Sequence, residues 1–288
     1  MAAGSLRLAV AQPRTVVDPD AEVNVARAVE LAARAADLGA SLILFPEGYP
    51  GPVLGKPRDT YEAAEAMESA AADNHVSVCW SRMELCDDGN YRLVVYAVDR
   101  GGRQLLRYER AHPATLPPEE TKVWVAPGPD LALFETDGVR MGIVVCSELW
   151  IPEPTRVLAL RGAQVILSPA GGGFTSLTDN WQTIVRARAI ENLCYVAMTN
   201  NIRHNEVGAA MIAGPEYVLV SSGTEELLLA NLDLDRVEWL RAQDDSIVEP
   251  KAFSSIPGLL RARRPELYED LVKPGPDLYD FHTPPEPG

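Results

Sequence analysis

Histidine is scarce in this chain of 288 residues, limited to His75, His112, His204 and His282, and no two stand at a metal-ligand spacing, which argues against a zinc enzyme. No metal and no other cofactor is expected. The four cysteines, Cys79, Cys86, Cys146 and Cys194, form no disulfide framework. Met1-Ala2-Ala3-Gly4 has neither the basic start nor the apolar run of a secretory leader, so reduced thiols and a cytoplasmic location are expected. No stretch reaches the roughly 18 uninterrupted apolar residues that a membrane-spanning helix needs. Clusters of Lys and Arg are missing too. At a formal net charge of -15 and a pI near 4.7, nothing offsets repulsion by phosphate, which excludes nucleic acid and anionic membranes and leaves a small molecule as the expected partner. Gly171-Gly172-Gly173 lacks the lysine and helix start of a phosphate loop and reads as a pocket wall.

What the chain does have is apolar content, at 47%, enough for one substantial core, and regular punctuation. A single domain is expected over residues 1–250, followed by a Pro-rich tail, 251–288. Tyr268, Leu271, Tyr279 and Phe281 are spaced in that tail as anchors for a partner subunit, with a loose end as the equal alternative. Strands and helices alternate. Leu6 to Ala11 reads as a buried strand, and Ala21 to Leu38 as a helix with Val25, Val29, Ala32 and Ala36 on one stripe, Asp20 as N-cap and Gly39 as stop. Asp87-Asp88-Gly89-Asn90 and Arg100-Gly101-Gly102 carry hairpin-turn chemistry between strands. The aperiodic run from Arg110 to Asp130 is too long for a simple connector and reads as a functional loop.

One pattern occurs twice. Gly39-Ala40-Ser41-Leu42-Ile43-Leu44-Phe45-Pro46 and Gly162-Ala163-Gln164-Val165-Ile166-Leu167-Ser168-Pro169 each read as helix stop, buried strand, proline. The first runs into Glu47-Gly48 and the second into Ala170-Gly171, so both are expected to open at the same rim of one sheet. Ile143 to Val145 delivers Cys146 in the same manner, with a helix beginning near Pro152. A thiol there lies beside backbone N–H groups that favour a thiolate and hold an oxyanion, and a carboxylate at the same rim would serve it as base. An inert buried cysteine is the plain alternative.

From about Leu6 to Leu240 the chain resembles the nitrilase, or carbon-nitrogen hydrolase, superfamily, with its motifs in order. They are Ala11-Gln12, Phe45-Pro46-Glu47-Gly48, Tyr108 to His112, Cys146-Ser147-Glu148, Arg186-Ala187-Arg188-Ala189-Ile190-Glu191-Asn192, Asn200 and Ala213-Gly214-Pro215. The resemblance implies a four-layer α-β-β-α sandwich, Glu47 as general base and Cys146 as nucleophile. The family's Tyr-x-Lys-x-His reads Tyr108-Glu109-Arg110-Ala111-His112 in this chain, so arginine stands in the lysine's place: it keeps the charge but does not deprotonate. Glu120 matches a second glutamate of the family, with Glu119 as the alternative register. Tyr49, Trp150, Phe174 and Trp181 flank the expected site loops and are candidates for the acyl pocket, at least one of them ordinary core, and the Ser147 backbone N–H is a candidate oxyanion donor. Glu191 is expected to pair with an arginine such as Arg188 in a structural role, and His112 is read as structural as well.

The reading that follows is a hydrolase cleaving a non-peptide C–N bond (amide, carbamoyl or nitrile) through a Cys146 thioester. Cys146-Ser147-Glu148 favours an amidase over the Cys-Trp-Glu of nitrilases. An acyl or amide transferase using the same acyl-cysteine, and a binding module silenced by Arg110, are the rival readings. A homodimer or larger assembly is expected.

Overall fold

The buried apolar runs become paired strands in the computed structural model, which describes residues 4–17, 20–52, 61–114, 124–172, 176–224, 226–242, 258–276 and 278–283. The first sheet is built from β1 (Ser5–Ala11), β2 (Leu42–Leu44), β3 (Ser77–Leu85), β4 (Tyr91–Val98), β5 (Gln104–Glu109) and β12 (Leu227–Asp233), in the order β12-β1-β2-β3-β4-β5. The second is built from β6 (Leu133–Thr136), β7 (Val139–Ile143), β8 (Val165–Ala170), β9 (Tyr195–Asn200), β10 (Ala210–Ala213) and β11 (Val218–Ser222), in the order β11-β10-β9-β8-β7-β6. Each has a parallel centre, β1-β2-β3 in one and β7-β8-β9 in the other, with antiparallel neighbours outside.

Strand periodicity explains why these centres read as unbroken apolar runs. In β2, Leu42 and Leu44 join the core between the sheets while Ile43 joins the helix-side core, and in β8 Val165 and Leu167 face the other sheet while Ile166 faces helices. Helices α1 (Val23–Asp37) and α2 (Ala64–Asn74) cover the first sheet through Leu31, Ala32, Met67 and Ala71. Helices α3 (Pro152–Leu160) and α4 (Thr178–Asn192) cover the second through Leu158, Trp181, Val185 and Ala189. The result is the four-layer α-β-β-α sandwich, closed at one end by α5 (Leu234–Arg241), whose Leu234 and Val237 enter the inter-sheet core.

Three expectations are corrected. The repeated Gly-to-Pro segments do not share one sheet: β2 belongs to the first and β8 to the second, so their ends meet face to face rather than side by side. Asp20 does not cap α1. The helix begins at Val23, after a backbone turn in which Val23 N donates to Asp20 O, and makes no side-chain cap bond. The buried line of α1 runs through Asn24, Ala28, Leu31, Ala32 and Ala35, one step round from the expected stripe, leaving Val25, Val29 and Ala36 partly buried. Asn24 decides this. Its side chain accepts from Val16 N at 3.0 Å and donates to Val16 O at 2.8 Å, satisfying both polar atoms inside the fold.

Candidate active site

Proline ends the β2 ladder and so creates the turn that carries Glu47. Phe45 N still bonds Cys79 O, but Pro46 has no N–H to extend the pairing, and the chain leaves the sheet. Ser81, fully buried on β3, holds the turn: its Oγ donates to Pro46 O at 3.1 Å and accepts from Gly48 N at 2.7 Å, with Gly48 at φ +65. The second sheet holds it from the other side. Glu47 N donates to Ala170 O at 3.1 Å, and Asn201 Nδ2 donates to Glu47 O at 2.7 Å. The Glu47 backbone is therefore fixed by both sheets at once.

Arg110 follows β5 and is also pinned, with its N–H on Leu93 O and its carbonyl accepting from Gly128 N, each at 2.9 Å. Only glycine fits at 128, since a Cβ there would lie 2.2 Å from Glu109 O. Cys146 stands where the chain leaves β7, at φ +50, a left-handed conformation that costs a non-glycine residue on the order of 1–3 kcal/mol. It opens a single 3-10 turn, Cys146–Trp150, which the sequence did not announce, and α3 starts at Pro152 as expected.

These three turns converge. The Cys146 thiol lies close enough to the Glu47 carboxylate and to the Gly171 N–H for both to act on its titration. Burial, reinforced by the charge of Glu47 and opposed by that of Arg110, pushes the thiol pKa up to about 12, so the resting thiol is protonated. Arg110, 3% exposed, donates from Nη1 to Glu47 Oε1 at 2.7 Å and from Nη2 to Ser147 Oγ at 2.6 Å. Burial opposes its charge, yet Glu47, Cys146, Glu148 and Tyr108 outweigh that and hold its pKa above the ordinary guanidinium value. The arrangement contains a thiol with an attached base and a permanent cation bound to that base, the parts of a base-activated nucleophile. Gly171 completes it. A Cβ at that position would lie 3.2 Å from Glu47 Oε2, so glycine lets the backbone N–H reach the sulfur without displacing the carboxylate.

Glu148 is the surrounding brace, to which the sequence reading gave no role. Fully buried, it accepts from Val145 N at 2.7 Å in its own turn, from His112 N at 2.8 Å, and from Tyr108 Oη at 3.2 Å. The His112 ring Nδ1 lies 3.3 Å from the same carboxylate. One side chain thus fastens the segment bearing Arg110 to the turn bearing Cys146. From outside, Arg188 on α4 donates to Leu149 O at 2.9 Å and Trp150 O at 3.0 Å, and pairs with Glu191 at 2.8 Å. That is the expected structural Arg188–Glu191 pair.

The expected pocket aromatics separate. Trp150 is 37% exposed beside the nucleophile turn, its ring edge-on to Trp181 with centroids 5.3 Å apart. Trp181 lies in the helix-side core of the second sheet. Tyr49 is fully buried, stacked on Phe45 in the core beneath α1, because the chain turns back into the helix layer after Gly48. Glu120, its alternative Glu119, and Phe174 lie outside the described residues. Ser81, Glu148 and Asn201 act at the site without having been singled out for it, whereas Gly171, just past the second repeat, was read as pocket wall.

Among known proteins the chain resembles N-carbamoylputrescine amidase of Solanum lycopersicum, 26% identical over 286 residues, covering 88% of this chain and 91% of the relative. It also resembles deaminated glutathione amidase of Bos taurus, 26% identical over 283 residues, covering 89% and 82%. Its fold matches the crystal structure of an amidase from Nesterenkonia sp. with a TM-score of 0.75 at 23% identity, over 94% of this chain and 98% of that one. The profile of the carbon-nitrogen hydrolases matches residues 7–242, nearly the whole of both sheets and the turns that bring Glu47, Arg110 and Cys146 together, and the chain belongs to that family.

Proposed function

We propose that this protein hydrolyses the C–N bond of a small non-peptide amide, carbamoyl compound or nitrile through a thioester on Cys146. The observation that carries the reading is the contact of the Cys146 thiol with a carboxylate that Arg110 holds at 2.7 Å. Taking an amide as substrate, Glu47 removes the thiol proton as sulfur bonds to the carbonyl carbon. Arg110 and the Ser147 backbone N–H stabilise the oxyanion. Protonated Glu47 returns its proton to the departing nitrogen, the C–N bond breaks, and the acyl group stays on sulfur. Glu47 then takes a proton from water, whose oxygen bonds to the acyl carbon. The C–S bond breaks, the acid is released, and the proton on Glu47 returns to sulfur. Arginine stabilises charge throughout and moves no proton, so Glu47 carries every transfer among the described residues. An amidase is favoured by the names of the relatives and by Cys146-Ser147-Glu148 in place of Cys-Trp-Glu.

Intact-protein mass spectrometry after incubation with small amides, carbamoyl amino acids and nitriles tests this. An acyl adduct on the wild type that is absent from Cys146→Ala is expected. Absence of any adduct and of any turnover across the panel would sink the reading, and an adduct seen only with Arg110→Lys would mean that the arginine disables the chemistry.

A further inference from the structure

Arg110 is held by two of its three nitrogens. Nη1 serves Glu47, Nη2 serves the Ser147 hydroxyl, and Nε is buried without a hydrogen-bond partner among the described residues. We propose that the Ser147 side chain is a positioning residue for Arg110, turning the guanidinium into a fixed bracket between the base and the nucleophile turn; this rests on the hydrolase reading above.

The argument is one of degrees of freedom. An arginine side chain has many rotamers, and a planar fork anchored at one end still swings about that anchor. A second hydrogen bond, from Nη2 to Ser147 Oγ at 2.6 Å, removes the swing. Ser147 follows Cys146 directly in the chain, so the atom that fixes the cation moves with the nucleophile, and cation, base and thiol keep one register. Glu148, the next residue, fastens the same two segments through Tyr108 and His112 but leaves the guanidinium itself to Ser147. Ser147 is exposed while Arg110 is buried, so the hydroxyl meets the cation from the solvent side. Lysine, with a single nitrogen, has no planar fork to span Glu47 and Ser147 in this way. A lysine ammonium could donate to both but has no plane to be fixed by them, so the hydroxyl is expected to matter more in the company of arginine.

A double-mutant cycle on Cys146 alkylation by iodoacetamide reads this without knowledge of the substrate. Ser147→Ala is expected to lower the second-order rate constant about tenfold, the scale of one charge-assisted hydrogen bond. Ser147→Thr, which returns a hydroxyl at a position open to solvent, is expected to recover most of the rate. In an Arg110→Lys background, Ser147→Ala is expected to change the rate less than twofold. An unchanged or raised rate for Ser147→Ala, or equal losses in both backgrounds, would overturn the proposal, the first meaning that water replaces the hydroxyl. The two readings fail separately. Coupling without turnover of any amide removes the hydrolase and leaves the bracket, while turnover without coupling does the reverse.

Discussion

Arg110 keeps its proton because the negative groups packed around it outweigh the cost of burying the charge. No loss of activity on the alkaline side is then expected from this residue, whereas Arg110→Lys introduces a group that deprotonates in an enclosed site. The pH dependence of Cys146 acylation is expected to acquire a descending alkaline limb in Arg110→Lys, and superimposable profiles would contradict the assignment. The thiol makes a second prediction. Its pKa moves from 9.0 to about 12 in the folded chain, so the unfolded chain releases its proton first as pH rises. The stability this provides is complete below pH 9.0 and is lost as pH climbs toward 12. Denaturant unfolding at pH 8 and pH 10.5 is expected to show a smaller alkaline loss for Cys146→Ala than for wild type.

At the scale of single elements, the Cys146 turn is held by helix α4 as well as by its own Glu148. Arg188→Ala would remove the Arg188 donor from the Leu149 and Trp150 carbonyls and from the Glu191 carboxylate, which keeps only Asn192 Nδ2 at 3.5 Å. Urea unfolding is expected to show a loss of about 1–3 kcal/mol, the cost of backbone acceptors that lose their donor. The loop after β8 behaves differently. Gly171→Ala places a methyl 3.2 Å from Glu47 Oε2, so alkylation of Cys146 is expected to fall at least tenfold while the unfolding midpoint stays within about 1 °C. A large drop in midpoint with intact alkylation would mean that Gly171 serves the fold rather than the base.

For the molecule as a whole, the tail sets a further prediction. Leu267, Leu271, Val272, Leu278 and Tyr279 are exposed along it, and the Phe281 ring stands edge-on to His112 with centroids 5.7 Å apart. So much uncovered apolar surface in one segment fits the expectation of a second copy. Sedimentation equilibrium is expected to give a dimer or larger for the full chain, and a smaller species for a chain ending at residue 257. The same mass for both would remove the tail from the assembly.

By itself the sequence determined which runs become buried strands and which residues stand at their ends. Strands buried on both faces show as unbroken apolar runs, glycine and proline mark where they end, and a cysteine or glutamate placed just past such an end must stand at a sheet rim, since these rules act over a few neighbouring residues. Tertiary structure decided that the rims belong to opposing sheets, so that Glu47 meets Cys146 across the core rather than beside it. It also decided that Tyr49 turns inward, that Asn24 shifts the buried face of α1, and that Ser81, Glu148 and Asn201 hold the site. Each of these depends on which distant backbone atom a polar side chain meets, and that pairing exists only once the two sheets have closed.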